Sequence, residues 1–242
     1  MRQSNLYIIL FSVALTVVLG FLLSWTSVQL GPLQKIQVEL DTKTKILAAV
    51  MDITKEDPVL DIYKQRIQSL VVDIDGNLIE KDKKGAALIA ENVNIEKNYK
   101  LNPEERQYPV FKFMNEQDTT KVDYYILPLF GNGLWDVIWG YVALESDLNT
   151  IKGVVYDHKG ETPGLGARIT EAVVQGRYEG QQIYDLNGGL VSVSMLKGEN
   201  NGQLDKHHVD GMSGATITAN GVNKMLKDYL NYYQAYLKKI AS

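Results

Sequence analysis

Asp210-Gly211-Met212-Ser213-Gly214-Ala215-Thr216-Ile217-Thr218 joins a glycine- and charge-rich loop, Lys197 to Asp205, to the last long segment of the chain. In that segment, Ala219 to Ile240, the apolar residues Val222, Leu226, Tyr229, Tyr233, Leu237 and Ile240 recur at spacings of three and four. This periodicity predicts a helix with one apolar face. The nonapeptide therefore brings three hydroxyls, on Ser213, Thr216 and Thr218, to a helix start. Backbone N–H groups at a helix start are unpaired and the macrodipole is positive there, so an anion such as phosphate is accommodated. The local sequence is equally served by a plainer reading, in which Thr218 is an N-cap and Gly214 a turn residue.

Working outward, the 242 residues allow one large domain or two small ones. A net charge of −4 gives no basic footprint for nucleic acid, so no nucleic-acid partner is expected. With no cysteine, the chain itself supplies no thiol nucleophile, disulfide or cysteine-ligated metal centre. Its three histidines, His158, His207 and His208, are expected to be exposed loop residues, and no metal site is expected.

No charged residue stands between Arg2 and Lys35, and Leu6 to Leu23 is almost wholly apolar, with Trp25 at its border. A helix of this length spans a bilayer core of ~30 Å, and a cleaved secretory signal would be shorter and end in a small-residue site. An uncleaved membrane anchor ending at Gly31-Pro32 is expected. An amphipathic helix from Leu33 to Met51 should lead away from the bilayer. The excess of lysines after the span (Lys35, Lys43, Lys45) would by itself keep the following domain in the cytoplasm, although that count is weak for long translocated domains. The span carries no ionisable residue, so no ion path is expected within it.

Asp57-Pro58 reads as an N-cap and first-turn proline, with Leu60, Tyr63, Ile67 and Leu70 as the buried stripe of a short helix. Strand character follows at Ser69–Ile74, closed by an Asp75-Gly76 turn. Lys81 to Arg106 is polar and reads as surface loop with weak helix. Further strands are expected at Val110–Met114, Val122–Phe130, Val137–Leu144, Ile151–Tyr156 and Leu190–Leu196, with Gly131-Asn132-Gly133 as a turn. Clustered strands with helices at the two ends predict an α+β fold. It would have one N-terminal transmembrane helix, then a soluble domain whose largely antiparallel sheet is flanked by helices.

A second glycine-rich stretch, His158-Lys159-Gly160-Glu161-Thr162-Pro163-Gly164-Leu165-Gly166, follows a strand and opens into a short helix expected at Ala167–Gln175. It can bring backbone close to a flat ligand, with Glu161 and Thr162 supplying a carboxylate and a hydroxyl. It is not a phosphate-binding P-loop, because the spacing and the terminal Gly-Lys-Ser/Thr are absent.

Taken together, Glu161-Thr-Pro-Gly-Leu-Gly166 and Ser213-Gly-Ala-Thr216-x-Thr218 resemble the FMN-binding domain of membrane redox complexes. Gly133-Leu134-Trp135-Asp136, Gly140 to Leu144 and Asp147-x-Asn149-Thr150 are similar to segments of one such family, the C subunits of sodium-translocating NADH:quinone oxidoreductases. The likeness is specific over residues 130–240 and loose over the N-terminal span; Asp41 to Asp123 carries no placed motif. The G subunit of Rnf electron-transport complexes shares the two loop motifs but not the Trp135 and Asn149 segments. Outside this chemistry, the alternative is a membrane-anchored scaffold whose glycine loops are only turns.

The resemblance implies three regions: an anchor at 1–32, a membrane-proximal region at 33–130 and an FMN-binding domain at 131–242. It implies one FMN per chain, held by a phosphoester on Thr216, with Asp210 opening the attachment motif. Ser213, Gly214, Ala215, Thr218, Glu161, Thr162, Gly164, Leu165 and Gly166 would also bind the cofactor. No acid–base residue is required, since the implied role is electron relay within a sodium-exporting NADH:ubiquinone reductase. Implied partners are the FMN-carrying B subunit, the iron–sulfur-bearing membrane subunits, the lipid bilayer and a separate flavin transferase. The transferase is implied because a threonine hydroxyl without an adjacent base is a weak nucleophile. The resemblance places the soluble domain in the periplasm, against the lysine count.

Overall fold

In the computed structural model, which describes residues 4–81 and 85–241, five strands form one antiparallel meander in the order β1-β2-β3-β4-β5. They are β1 (Ile67–Val72), β2 (Tyr108–Met114), β3 (Val122–Asn132), β4 (Val137–Glu145) and β5 (Ile151–His158). Four of the expected strands correspond closely to β2, β3, β4 and β5, and the one expected at Ser69–Ile74 is β1, two residues earlier. The β3–β4 pairing runs without a break from Tyr124↔Glu145 to Asn132↔Val137. Gly131 and Asn132 therefore belong to the strand, and the turn is made one step later, by Gly133 to Asp136. Asp75-Gly76 does turn the chain after β1: Gly76 has φ +74 and Val72 bridges Leu78.

Alternate residues of the sheet face opposite ways, as a period of two requires. Val110, Leu127, Leu129, Val142 and Leu144 point into the main core, where α5 (Thr216–Ala241) lies across the sheet. Val222, Leu226, Tyr229, Tyr233 and Leu237 form its buried stripe, as their spacing predicts, and Ile240 is half-buried. Each such side chain, fully buried, contributes about 1.5–3 kcal/mol. Tyr233 also donates its hydroxyl to the carbonyl of Pro109 at 2.7 Å, tying α5 to β2. The other face carries Phe111, Phe113, Ile126 and Ala143, all buried, and α2 (Val59–Arg66) packs against β1 and β2.

The N-terminal helix α1 runs unbroken from Asn5 to Ala48 with Pro32 inside it. The expected end at Gly31-Pro32, with a separate helix after it, is thus corrected. A proline inside a helix removes one hydrogen bond and crowds the carbonyl four residues back; Gly31, lacking a Cβ, relieves only the further clash with the residue before the proline. α1 is long and apolar enough to cross a membrane, with a mean hydropathy of 2.7 in its most apolar window and exposed side chains throughout that window. Contacts divide the chain between Lys43 and Thr44 into two compact units, so the last turn of α1 belongs to the unit that holds the sheet. There Ile46 and Leu47 are fully buried. Arg2, used in the charge count, lies outside the described residues, as do residues 82–84 of the Lys81–Arg106 stretch.

Other local expectations shift for identifiable reasons. Asp57 does not cap α2; its carboxylate accepts from the Thr54 N–H and hydroxyl, and Pro58 takes the cap position. Of the expected stripe Tyr63 is buried, Leu60 is exposed with Val59 buried in its place, and Ile67 and Leu70 lie half-buried in β1 instead of the helix. The Lys81–Arg106 stretch carries only short helical pieces, among them α3 (Ile95–Tyr99). The helix expected at Ala167–Gln175 is split by Glu171, whose ψ of 134° separates a 3-10 turn at Gly166–Thr170 from α4 (Ala172–Gln175). Leu190–Leu196 shrinks to β6 (Ser194–Met195), because Ser192 has φ 67 and cannot continue an extended strand. β6 pairs in parallel with β7 (His208–Val209), the short strand that leads into the loop before α5.

Candidate functional site

Three loops meet at the N-terminal end of α5. One is the Gly133–Asp136 turn between β3 and β4, the second follows β5 from Lys159 to Leu165, and the third is Asp210 to Ala215. What joins them is a single carboxylate. Glu161 is 4% exposed; its Oε1 accepts the Trp135 N–H at 2.9 Å and its Oε2 accepts the Thr218 hydroxyl at 2.5 Å. Burial pushes this carboxyl up, but bonds from the Thr218 hydroxyl and the N–H groups of Trp135, Leu134 and Asp136 outweigh it and hold the group below its ordinary value. The Glu161 N–H in turn donates to Nδ1 of His158 at 3.2 Å, which sets the corner after β5.

Two glycines make room for this carboxylate. A Cβ on Gly133 would strike Glu161 Oε1, and one on Gly166 would strike both Glu161 Oε2 and Thr218 Oγ1. Glu161, Gly166 and Thr218 are therefore the floor of the site, turned away from solvent. Thr218 is not the cap of α5, as its place in the sequence suggests. The helix begins two residues earlier, at Thr216, and Thr218 lies in its first turn with its hydroxyl committed to Glu161.

The surface above the floor is different in character. Thr216 is half-buried, and among the described residues no hydrogen bond holds its hydroxyl. Ser213 and Gly214 are exposed, whereas Ala215 packs into the core. Gly214 has φ +76, a left-handed conformation that favours glycine. A Cβ there would approach Leu165 Cδ2 to 2.9 Å, so the second and third loops touch at this point. Thr162, Gly164 and Leu165 are exposed. Around them Trp135 (70% exposed), Ile217 (59% exposed) and Leu134 present apolar surface to solvent. Trp135 is braced from the side, its indole N–H donating to Thr162 Oγ1 at 3.1 Å.

The attachment-type loop is itself held from below. Arg177 donates to the carbonyls of Asp210 at 3.0 Å and Gly211 at 2.5 Å, and Arg168 pairs with Glu199 at 2.8 Å. The Asp210 carboxylate accepts from the N–H groups of Asn200 and Asn201 and from the Asn201 side chain, and these bonds hold it below its ordinary value. Asp210 thus closes the hairpin-like excursion at 198–210. The three histidines are half-buried and not exposed loop residues as expected: His158 ends β5, His208 lies in β7 and bonds to Asp205, and His207 bonds to the Gln182 carbonyl. Among the described residues no group of acids and histidines could hold a metal.

Motif reading found the two loops but missed what joins and walls them. Trp135 entered only as part of a matching segment, though its exposure beside Thr162 makes it a wall of the site. Arg168 and Arg177 had no sequence signal, because their partners are carbonyls and an acid far along the chain.

An antiparallel meander crossed by one helix, with a hydroxyl at the helix start, polar and glycine-rich loops beneath it and an exposed apolar rim, suits a phosphate-bearing flat ligand. In agreement, residues 133–231 match the FMN-binding domain family. The chain is 30% identical over 240 residues to the C subunit of the Na(+)-translocating NADH-quinone reductase of Neisseria meningitidis, covering 95% of this chain and 92% of that one. It is 32% identical over 237 residues to the corresponding C subunit of Haemophilus ducreyi, covering 94% and 91%. The crystal structure of the Parabacteroides distasonis C subunit superposes with a TM-score of 0.70 at 32% identity, covering 85% of this chain and 95% of that one. Shewanella oneidensis NqrC does so with a TM-score of 0.70 at 27% identity, covering 84% and 97%. The chain belongs to the family of C subunits of Na(+)-translocating NADH-quinone reductases.

Proposed function

We propose that this chain is the membrane-anchored electron-relay subunit of a sodium-translocating NADH:ubiquinone reductase, and that it carries one FMN on Thr216 through a phosphoester bond. The observation that carries the reading is the state of the Thr216 hydroxyl: half-open, unbonded among the described residues and at the start of α5. It faces the same corner as the 161–166 loop, inside the segment that matches the FMN-binding family. The neighbouring Thr218 hydroxyl is buried and already bonded; of the two open hydroxyls, on Ser213 and Thr216, that of Thr216 stands at the first position of α5, which favours it as the acceptor.

Each residue then has a part. Unpaired N–H groups at the start of α5 and the Ser213 hydroxyl would hold the phosphate. Gly214 and Gly164 keep the approach open, and Ala215 anchors the loop to the core. Thr162, Leu165 and Trp135 offer the polar and apolar surface for a flat ring. Glu161, Gly166 and Thr218 support these loops from below. When bound, FMN supplies the electron chemistry, and the protein supplies placement and electrostatics.

The region 131–242 is the cofactor-binding part in this reading, 33–130 completes the sheet and its α2 side, and 1–32 is the anchor. A separate flavin transferase would install the FMN, since among the described residues no base is bonded to the Thr216 hydroxyl. The FMN-carrying B subunit would be the electron acceptor, and the iron–sulfur-bearing membrane subunits would be further partners. The soluble unit would lie in the periplasm, with α1 in a bacterial inner membrane. Intact mass tests the central claim. The chain co-expressed with its transferase should be heavier by one FMN phosphoester and fluoresce on a denaturing gel. Thr216→Ala should lose both signals, and Thr216→Ser should keep them. Flavin remaining covalently bound to the Thr216→Ala chain would refute the acceptor.

A further inference from the structure

Among the described residues, Glu161 is the only buried acid, and no lysine or arginine pairs with it. A carboxylate removed from water and left without a cation costs several kcal/mol unless hydrogen bonds replace its hydration. Here each oxygen has a replacement: the Trp135 N–H donates to Oε1 and the Thr218 hydroxyl to Oε2, with the Leu134 and Asp136 N–H groups of the same turn adding to the field that favours the ionised form. Those bonds keep the group ionised and fixed in place. They do not cancel its charge.

A scaffold alone would not need that charge. A glutamine at 161 would accept from the Trp135 N–H and donate to Thr218 Oγ1 with nearly the same shape, and without burying an ion. The carboxylate is instead placed where the Trp135, Thr162 and Thr216 segments meet, directly beneath the exposed apolar rim. Charge–charge interactions are stronger in such a partly desolvated setting than in water. Each electron delivered to a flavin held at this corner adds one unit of negative charge, unless a proton accompanies it.

We infer that Glu161 is a positioning residue with a second role, in which its fixed negative charge sets the redox poise of the flavin and keeps it more reducing than the same loops would without the charge. The inference rests on the FMN reading above and concerns the site's electrostatics, not its occupancy.

The experiment uses the full chain in detergent, flavinylated by co-expressed transferase, with intact mass, circular dichroism and a spectroelectrochemical titration on each sample. Glu161→Gln removes the charge and keeps the shape. The ratio of reduced to oxidised flavin at a fixed applied potential should rise about tenfold, or about 59 mV for a one-electron step. Thr218→Val removes a donor that partly neutralises the carboxylate and keeps the Trp135 N–H bond, so with the titration run at alkaline pH, where the carboxylate stays ionised, the same ratio should fall. If Glu161 only holds the loops, both variants loosen them and move the ratio in the same direction.

A Glu161→Gln ratio within about twofold of the parent, or a shift toward oxidised flavin, overturns the inference. Should that variant fail to fold, a rise in the Thr218→Val ratio overturns it alone. A parent chain without the FMN mass increment overturns both the cofactor reading and the inference. The increment with an unmoved potential overturns only the second.

Discussion

The bond between Thr218 and Glu161 is the most exposed test of how this site is held together. Replacing Thr218 by valine keeps the β-branched shape and a comparable helix propensity, so no large cavity opens and α5 is not otherwise disturbed. What disappears is one hydroxyl donor to a buried carboxylate, at 2.5 Å. Hydrogen bonds to charged groups contribute about 1.5–3 kcal/mol, and the loss leaves Glu161 Oε2 short of a partner in a site that water does not reach freely. We expect a destabilisation of about 2 kcal/mol. For a folded unit of the size that runs from Thr44 to Ser242, each kcal/mol lowers the melting temperature by about 2–4 °C, so the expected fall is about 4–8 °C.

Calorimetry or far-ultraviolet circular dichroism on the apo full chain reads this directly, with no dependence on the cofactor. A double-mutant cycle with Glu161→Gln isolates the pair. The two changes should be less damaging together than their sum, with a coupling of about 1 kcal/mol or more. A fall below about 2 °C, or additive effects of the two substitutions, would refute the idea that this carboxylate joins the loops to the helix.

The same geometry makes four further predictions. The depressed carboxyl of Glu161 contributes stability that is fully present above the unfolded value of 4.5 and is lost as pH falls through the lower folded value; a melting profile from neutral to acid pH should therefore be flatter in Glu161→Gln than in the parent. Gly166→Ala forces a Cβ against Glu161 Oε2 and Thr218 Oγ1 and should cost about 1–3 kcal/mol, measured by denaturant midpoint. Arg177→Met removes both bonds to the Asp210 and Gly211 carbonyls, so amide exchange across 197–211 should accelerate at least tenfold while α5 beyond Val222 stays protected. Tyr233→Phe deletes the 2.7 Å bond to Pro109 and should destabilise by about 1 kcal/mol without altering flavin loading, read by intact mass.

The sheet and the last helix were legible because their signals are local. Val222, Leu226, Tyr229, Tyr233 and Leu237 declare one face at helical spacing, and β2 to β4 are bounded by turns that glycine and asparagine mark. Local logic failed where a distant partner decided. Thr218 has every property of an N-cap, yet the helix starts two residues before it, and its hydroxyl, instead of accepting a backbone N–H, donates to Glu161. Pro32 has every property of a helix stop, yet the helix runs on through it, and the glycine before it relieves one of the clashes that oppose this. Ser192 and Glu171 look compatible with a strand and a helix, and both are turned out of them by backbone angles that the surrounding loops impose. The loop motifs were legible as motifs. Their roles were not, because whether a carboxylate faces a ligand or the floor beneath it depends on which loops fold over it.

That division between floor and surface explains the order of residues in the two motifs. In Glu161 to Gly166 the first and last positions are buried and the four between them are open; in Ser213 to Thr218 the open positions are Ser213, Gly214 and Ile217, with Thr216 half-open. Each motif thus combines anchoring and presenting residues, and the anchors of the two meet one another at the Glu161–Thr218 bond and at Gly166. On the FMN reading proposed above, the tether would fix only the attachment atom, and the rest of the ring would have to be held by surfaces that do not drift. Loops of this kind drift unless something buried binds them. One carboxylate, shared by the turn after β3, the corner after β5 and the first turn of α5, supplies that constraint, and it does so at the start of the helix whose other end is fixed in the core.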